Sequence, residues 1–118
     1  QSVKNMTKEV ELGGVKHPIR FGMAALYMYE EVTGRAAISD FSNIQAGDVK
    51  LSTIVDLVYC GLVCGYQKQG KVTTFDKYDV ADWLGEADGA IEEILVQFAE
   101  SFPKSKNLNP PKKVKAEA

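Results

Sequence analysis

Hydrophobic and polar positions alternate with period two at the start of the chain. Val10 and Leu12 are separated by Glu11, then Val15, His17, Ile19 and Phe21 continue the same alternation beyond Gly13-Gly14. Two glycines between two such runs supply the positive backbone angles of a tight two-residue turn, so the pattern predicts a two-stranded antiparallel hairpin. Pro18 lacks a backbone donor and belongs on an edge or an outward position of the second strand. A lone ribbon of this length is marginal in water and requires a helix packed on it.

The period then changes. Met23-Ala24-Ala25-Leu26-Tyr27-Met28-Tyr29 is an unbroken apolar run, followed by Glu30-Glu31-Val32-Thr33 and Gly34. This predicts a helix over 23–33 stopped by a left-handed glycine. The run is apolar nearly all round, so either both faces are covered or one waits for a partner. Met23, Tyr27, Met28 and Tyr29 are the candidate partner-binding residues, because methionine and tyrosine adapt to varied contact surfaces.

From Arg35 to Lys50 the chain is polar, with Ile38 and Phe41 spaced as one turn of a short helix that breaks at Gly47. A central helix is expected over Thr53–Gln67, introduced by Leu51-Ser52, with Ile54, Leu57, Val58, Gly61, Leu62, Gly65 and Tyr66 on one stripe. Glycine costs a helix about 1 kcal/mol per residue. Gly61 and Gly65, one turn apart, therefore predict close approach of the first helix or the ribbon. Residues 66–74 form a polar loop. A short helix over Asp76–Leu84 follows, capped by Thr74 or Asp76 and closed by Gly85. The last helix is expected over Ala87–Phe102, its stripe of Ile91, Ile94, Leu95, Phe98 and Phe102 opposing Glu92, Glu93, Gln97 and Glu100, with Pro103 as its stop.

The fold class is thus α+β: an N-terminal hairpin packed on three to four helices. The length of 118 residues sets a single domain over 6–103. Gln1 is no initiator and Met6-Thr7-Lys8-Glu9 would be an ordinary native start, so residues 1–5 are set aside as a candidate cloning remnant. No apolar run is long enough to span a bilayer and no secretory pattern opens the chain, which makes cytoplasm the expected compartment.

Charge changes the picture only at the C-terminus. Lys104, Lys106, Lys112, Lys113 and Lys115 face a single acid, Glu117; of the 14 basic and 16 acidic residues this leaves 9 and 15 before Lys104, a body of −6 and a tail of +4. With Pro103, Pro110 and Pro111 and few apolar residues, the segment 104–118 cannot offset its ordering entropy and is expected to be disordered. The acidic body opposes a nucleic-acid field, and no aromatic side chain interleaves the lysines to stack on bases.

Reactive groups are few. Cys60 and Cys64 lie one turn apart, but zinc needs four ligands and only His17 remains to join them. A disulfide within one helical turn is strained, so small buried thiols are expected. His17 has no neighbouring nucleophile motif and reads as a strand residue. No glycine-rich phosphate loop is present. Neither a catalytic set, a cofactor nor a metal is expected, and the chain reads as a contact protein rather than an enzyme.

The order of these segments resembles a known family. Val10-Glu11-Leu12-Gly13-Gly14, the run Ile19-Arg20-Phe21-Gly22 to Leu26, the stop Glu30-Glu31-Val32-Thr33-Gly34, the helix Ile54 to Cys64 with Gly61-Leu62, and Asp79-Val80-Ala81-Asp82-Trp83-Leu84 are together similar to the tail assembly chaperones of long-tailed phages, prophages and gene-transfer particles. The likeness covers residues 8–102. It implies a small α+β protein that binds the hydrophobic tape measure protein, keeps it soluble and helps recruit tail tube subunits in the bacterial cytoplasm, with homo-oligomers allowed. In many members a frameshifted longer form adds a client-contacting domain, and Lys112-Lys113 fits an adenine-rich slippage site. The aromatic Leu26-Tyr27-Met28-Tyr29 stretch is particular to this chain. Two other classes remain: an interaction or regulatory module holding nucleic acid through the basic tail, and a small enzyme whose polar cleft the sequence does not announce.

Overall fold

The computed structural model describes residues 7–48, 50–87 and 89–101. Two strands, β1 (Thr7–Leu12) and β2 (Val15–Arg20), precede five helices: α1 (Met23–Thr33), α2 (Ala37–Ala46), α3 (Leu51–Lys68), α4 (Lys77–Glu86) and α5 (Ala90–Ser101). The α+β class stands, with one more helix than the upper expectation. Expectations for residues 1–5, for Phe102 and Pro103, and for the tail 104–118 lie outside the described residues.

Gly13 and Gly14 adopt φ of 62° and 78°, the paired positive angles that let a two-residue turn follow the right-handed strand twist. The register runs from Leu12 opposite Val15 to Thr7 opposite Arg20. One face buries Val10, Leu12, His17 and Ile19. Val15 shares that face by alternation yet is 55% exposed. Pro18 pairs with Glu9 on the opposite face, and β2 is an edge strand as its missing donor requires.

Helix α3 is the central post. Residues Thr53 to Val58, Cys60 to Leu62, and Cys64 to Gly65 are buried along it. Its two stripe glycines receive the ribbon, not α1: a Cβ on Gly61 would run into the Phe21 ring and lie 3.0 Å from Ile19 Cγ1, and one on Gly65 would lie 2.5 Å from the Pro18 carbonyl oxygen. The helix thereby covers the outer edge of β2, removing the open edge that a ribbon otherwise presents.

Four elements differ in extent from the expected ones. Helix α3 spans Leu51–Lys68 rather than Thr53–Gln67, taking in Leu51 and Ser52 at its start and the first residues of the expected loop at its end. Residues 37–46 form a full ten-residue helix where one turn was expected. Ala37, Phe41 and Ile44, at i, i+4 and i+7, are its inward positions, while Ile38 is exposed. Helix α4 runs through Gly85 to Glu86, because a glycine with an ordinary helical angle does not break a helix whose backbone bonds are otherwise complete. Helix α5 begins at Ala90 rather than Ala87; Gly89, with φ of 76°, forces the chain to turn just before it. Its stripe is as read where described, with Ile94 and Phe98 buried and Ile91 and Leu95 half-buried.

Candidate functional site

The run Met23–Tyr29 resolves into two faces. Gly22 in an extended conformation opens α1, and Gly34 at φ 75° closes it with its N–H donated to the Glu30 carbonyl. Ala25, Leu26 and Tyr29 face the core. Met23 and Tyr27, one turn apart on the other side, are 54% and 67% exposed, and Ala24 and Glu31 share their face. Four of the residues on this side are therefore open, three of them apolar or aromatic.

Of the four predicted contact residues, the structure keeps Met23 and Tyr27 together on the surface and removes the other two. Met28 is half-buried and packs on the core. Tyr29 is a core residue, 2% exposed, and does not belong to the surface. Its ring is buried because position 29 follows Ala25 and Leu26 by one turn on the inward face.

The Tyr29 hydroxyl serves an unforeseen polar cluster. It donates to Asp40 Oδ2 and accepts from Arg35 Nη2 at 3.0 Å, while Arg35 Nε donates to the same Asp40 oxygen at 2.9 Å. Arg35 Nη2 also reaches Thr53 Oγ1 at 3.4 Å and stands 3.8 Å from Asp56; Lys77 closes on Asp56 at 3.5 Å. Burial and then the Asp40 hydrogen bond push the Tyr29 hydroxyl up to about 12. Burial alone would raise Asp40, but the hydrogen bonds from Tyr29 and Arg35 and the Arg35 and Lys50 charges outweigh it and hold the carboxyl below its ordinary value. The same hydrogen bonds raise Arg35 further. A polar cleft lined by Arg35, Asp40, Asn43, Asp48, Lys50, Ser52 and Thr53 opens beside the cluster. Asp40 there is already committed to Tyr29 and Arg35, so the arrangement joins α1, α2, α3 and α4 through side chains.

His17 occupies a second cluster. Its ring stacks on Trp83 at 4.8 Å, with Tyr66 and Phe75 edge-on. Nε2 lies 3.1 Å from the Leu12 carbonyl, which can only accept, so the neutral ring carries its proton there. Nδ1 consequently accepts from the Tyr66 hydroxyl at 2.7 Å. Both nitrogens are satisfied; His17 is a strand residue as read, and its ring ties the hairpin to α3 and α4, which the sequence did not foretell. Trp83 also receives the turn itself, since a Cβ on Gly13 would lie 2.9 Å from its indole nitrogen.

Cys60 and Cys64 are buried free thiols, and burial first, then Cys64 and Asp56 nearby, pushes Cys60 up to about 12. Among the described residues no group of three or more His, Cys, Asp or Glu side chains is placed to hold a metal ion. No helix of the described residues is long and apolar enough to cross a membrane. Sequence periodicity missed further exposed apolar side chains, Leu51, Val72, Tyr78 and Val96. These are scattered over separate elements, and single exposed apolar residues are ordinary. No family model, curated protein or solved structure matches the chain.

Proposed function

We propose that this protein is a tail assembly chaperone of a long-tailed phage, prophage or gene-transfer particle, which binds the tape measure protein in the bacterial cytoplasm, keeps it soluble and helps recruit tail tube subunits. The observation that carries the reading is the open Met23–Tyr27 face of α1. The order of hairpin, aromatic helix, central glycine-bearing helix and Asp-Trp helix supports the same family.

The physics of such a client suits this face. A stable, specific protein interface buries roughly 800 Å² on each partner, more than Met23, Ala24, Tyr27 and a flanking glutamate offer. One such contact is weak. A long apolar helical client presents many equivalent segments, and several chaperone copies on one client exclude water from it without a single tight site. Methionine and tyrosine adapt to differing client side chains at low conformational cost.

Co-expression with a tape measure segment tests the reading. The wild-type chain is expected to bring the client into the soluble fraction and co-elute with it, and Met23→Ser/Tyr27→Ser is expected to lose both effects while remaining folded. A client that stays insoluble with the wild type overturns the function; full solubility with the double variant overturns the assignment of the face.

A further inference from the structure

The hairpin turn and the corner between α4 and α5 enclose a cleft of about 410 Å³. Small residues make up part of its lining: the Gly13-Gly14 turn, Ala87 and Ala90. The rest is Glu11 of β1, Glu86 of α4 and Glu93 of α5, all three exposed. Elements far apart in sequence thus bring three glutamates to one concavity whose lining holds no lysine or arginine. Lys16 stands opposite Glu11 in the strand register. Among the described residues, however, the ion pairs join Arg35 and Lys77 to Asp40 and Asp56, and none reaches these glutamates. The polar cleft beside Tyr29 is different, for there Arg35 and Lys50 balance Asp40 and Asp48.

The same chain carries the complementary charge. Beyond Ser101, where α5 ends, the sequence continues through residues 102–118, and Lys112, Lys113 and Lys115 fall within four positions of one another there. Pro110-Pro111 directly before them disfavours a helix, so the sequence favours an extended segment. The tether has a suitable length. Glu93 and Ser101 are eight residues apart on α5, about 12 Å along the helix axis. The eleven residues from Ser101 to Lys112 reach at most about 36 Å when extended and span about 18 Å root-mean-square as a flexible chain. That is long enough to turn back along α5 and short enough to hold the lysines near the cleft at millimolar effective concentration.

We propose that this cleft is the docking groove of the chain's own C-terminal segment, with Lys112, Lys113 and Lys115 answering Glu11, Glu86 and Glu93. The glycines and alanines between the glutamates leave room for the aliphatic stems of the lysines, which lie along apolar surface while their ammonium groups meet the carboxylates. Exposed ion pairs are individually weak. The contact therefore depends on the tether and on three pairs acting together, and salt releases it. Docking withdraws the positive charge of the tail from anionic partners and lays the segment against the hairpin turn and the α4–α5 corner. The inference is independent of the chaperone reading.

The test is zero-length carbodiimide cross-linking of the full chain, which joins a carboxylate to an amine only where the two touch, followed by mass spectrometry of the monomer. Links from Lys112, Lys113 or Lys115 to Glu11, Glu86 or Glu93 are expected at low salt. Their yield is expected to fall about tenfold at about 1 M salt, where the Debye length is about 3 Å. Reversing either set, as Glu11→Lys/Glu86→Lys/Glu93→Lys or as Lys112→Glu/Lys113→Glu/Lys115→Glu, should abolish these links, and combining the two sets should restore them. Absence of the links in the wild type overturns the proposal. Equal yields to glutamates elsewhere, such as Glu30 and Glu31, overturn the groove, and links confined to a dimer overturn docking on the same chain in favour of a second copy. Should the reversed cleft not fold, Lys112→Gln/Lys113→Gln/Lys115→Gln decides by NMR: movement of the Gly13, Gly14 and Ala87 amide signals relative to the wild type upholds the groove, and unchanged signals overturn it. No client enters these measurements, so failure of the tape measure co-expression leaves them unaffected.

Discussion

Gly65 of α3 rests on the carbonyl of Pro18: a methyl group at position 65 would stand 2.5 Å from the Pro18 oxygen, 2.6 Å from its carbon and 2.9 Å from the Ile19 nitrogen. All three are backbone atoms of β2, so the strand itself would have to move. Overpacking of this kind costs about 1–3 kcal/mol, and the added helix propensity of alanine returns about 1 kcal/mol. Gly65→Ala is expected to lower stability by about 1 kcal/mol net, read as a lower urea midpoint with an unchanged slope. An unchanged midpoint would mean that α3 and β2 slide apart freely.

Gly85 provides the opposite case. It lies inside α4 with nothing within 4 Å of a would-be Cβ. Gly85→Ala should raise stability by about 0.5–1 kcal/mol, through propensity and a less mobile unfolded chain. Thermal melts of the two glycine variants, measured side by side, should shift in opposite directions.

Asp76 and Asp79 cap each other's backbone at the start of α4, each N–H···O distance being 3.0 Å. Asp76→Ala removes the acceptor for the Asp79 N–H and should cost about 1 kcal/mol. Asp76→Asn, which keeps an acceptor oxygen, should recover most of the loss in the same chemical denaturation.

Alkaline stability depends on Tyr29. Its folded hydroxyl lies at about 12, above the ordinary 10, through burial and the Asp40 hydrogen bond. A group whose folded value is raised stabilises fully below its unfolded value and loses that contribution as pH rises through the folded one. The melting temperature of the wild type should therefore fall between pH 10 and 12 more steeply than that of Tyr29→Phe. Cys60 titrates in the same window but is present in both proteins, so the difference isolates Tyr29. Asp40 acts in the opposite direction: its carboxyl is held below the ordinary value, so its contribution is complete above about pH 4 and is lost as pH falls further. Parallel alkaline profiles would show that the Tyr29 hydroxyl is not the group responsible.

The Met23–Tyr27 face predicts a separation of stability from function. Both side chains are more than half exposed, so Met23→Ser/Tyr27→Ser should change unfolding free energy by less than about 1 kcal/mol. Client solubilisation should nevertheless be lost. Tyr29→Ser should do the reverse of a surface change, unfolding the chain with no information on binding.

Local chemistry made the hairpin, α1 and the stripe of α5 legible in sequence, because each carries its own signal within a few residues. Two adjacent glycines permit one kind of turn, Gly34 stops α1 at the expected residue, and the period of Ile91, Ile94, Leu95 and Phe98 fixes which side of α5 is inward. The glycines of α3 announced a close approach, but not whether α1 or the ribbon would make it. Helix α2 went unread beyond one turn because its inward set begins with Ala37, too small to mark a stripe, while Ile38 suggested the wrong phase.

Which residues of the first helix reach a partner was decided by tertiary structure alone. An unbroken apolar run has no phase: Tyr27 and Tyr29 carry the same side chain, and hydrophobicity cannot rank them. Packing against α3 fixed the rotation of α1, and the pairing of the Tyr29 hydroxyl with Asp40 and Arg35, eleven and six residues along the chain, satisfied the one polar atom that turning Tyr29 inward buries. That long-range satisfaction holds Tyr29 in the core and leaves Tyr27 facing solvent.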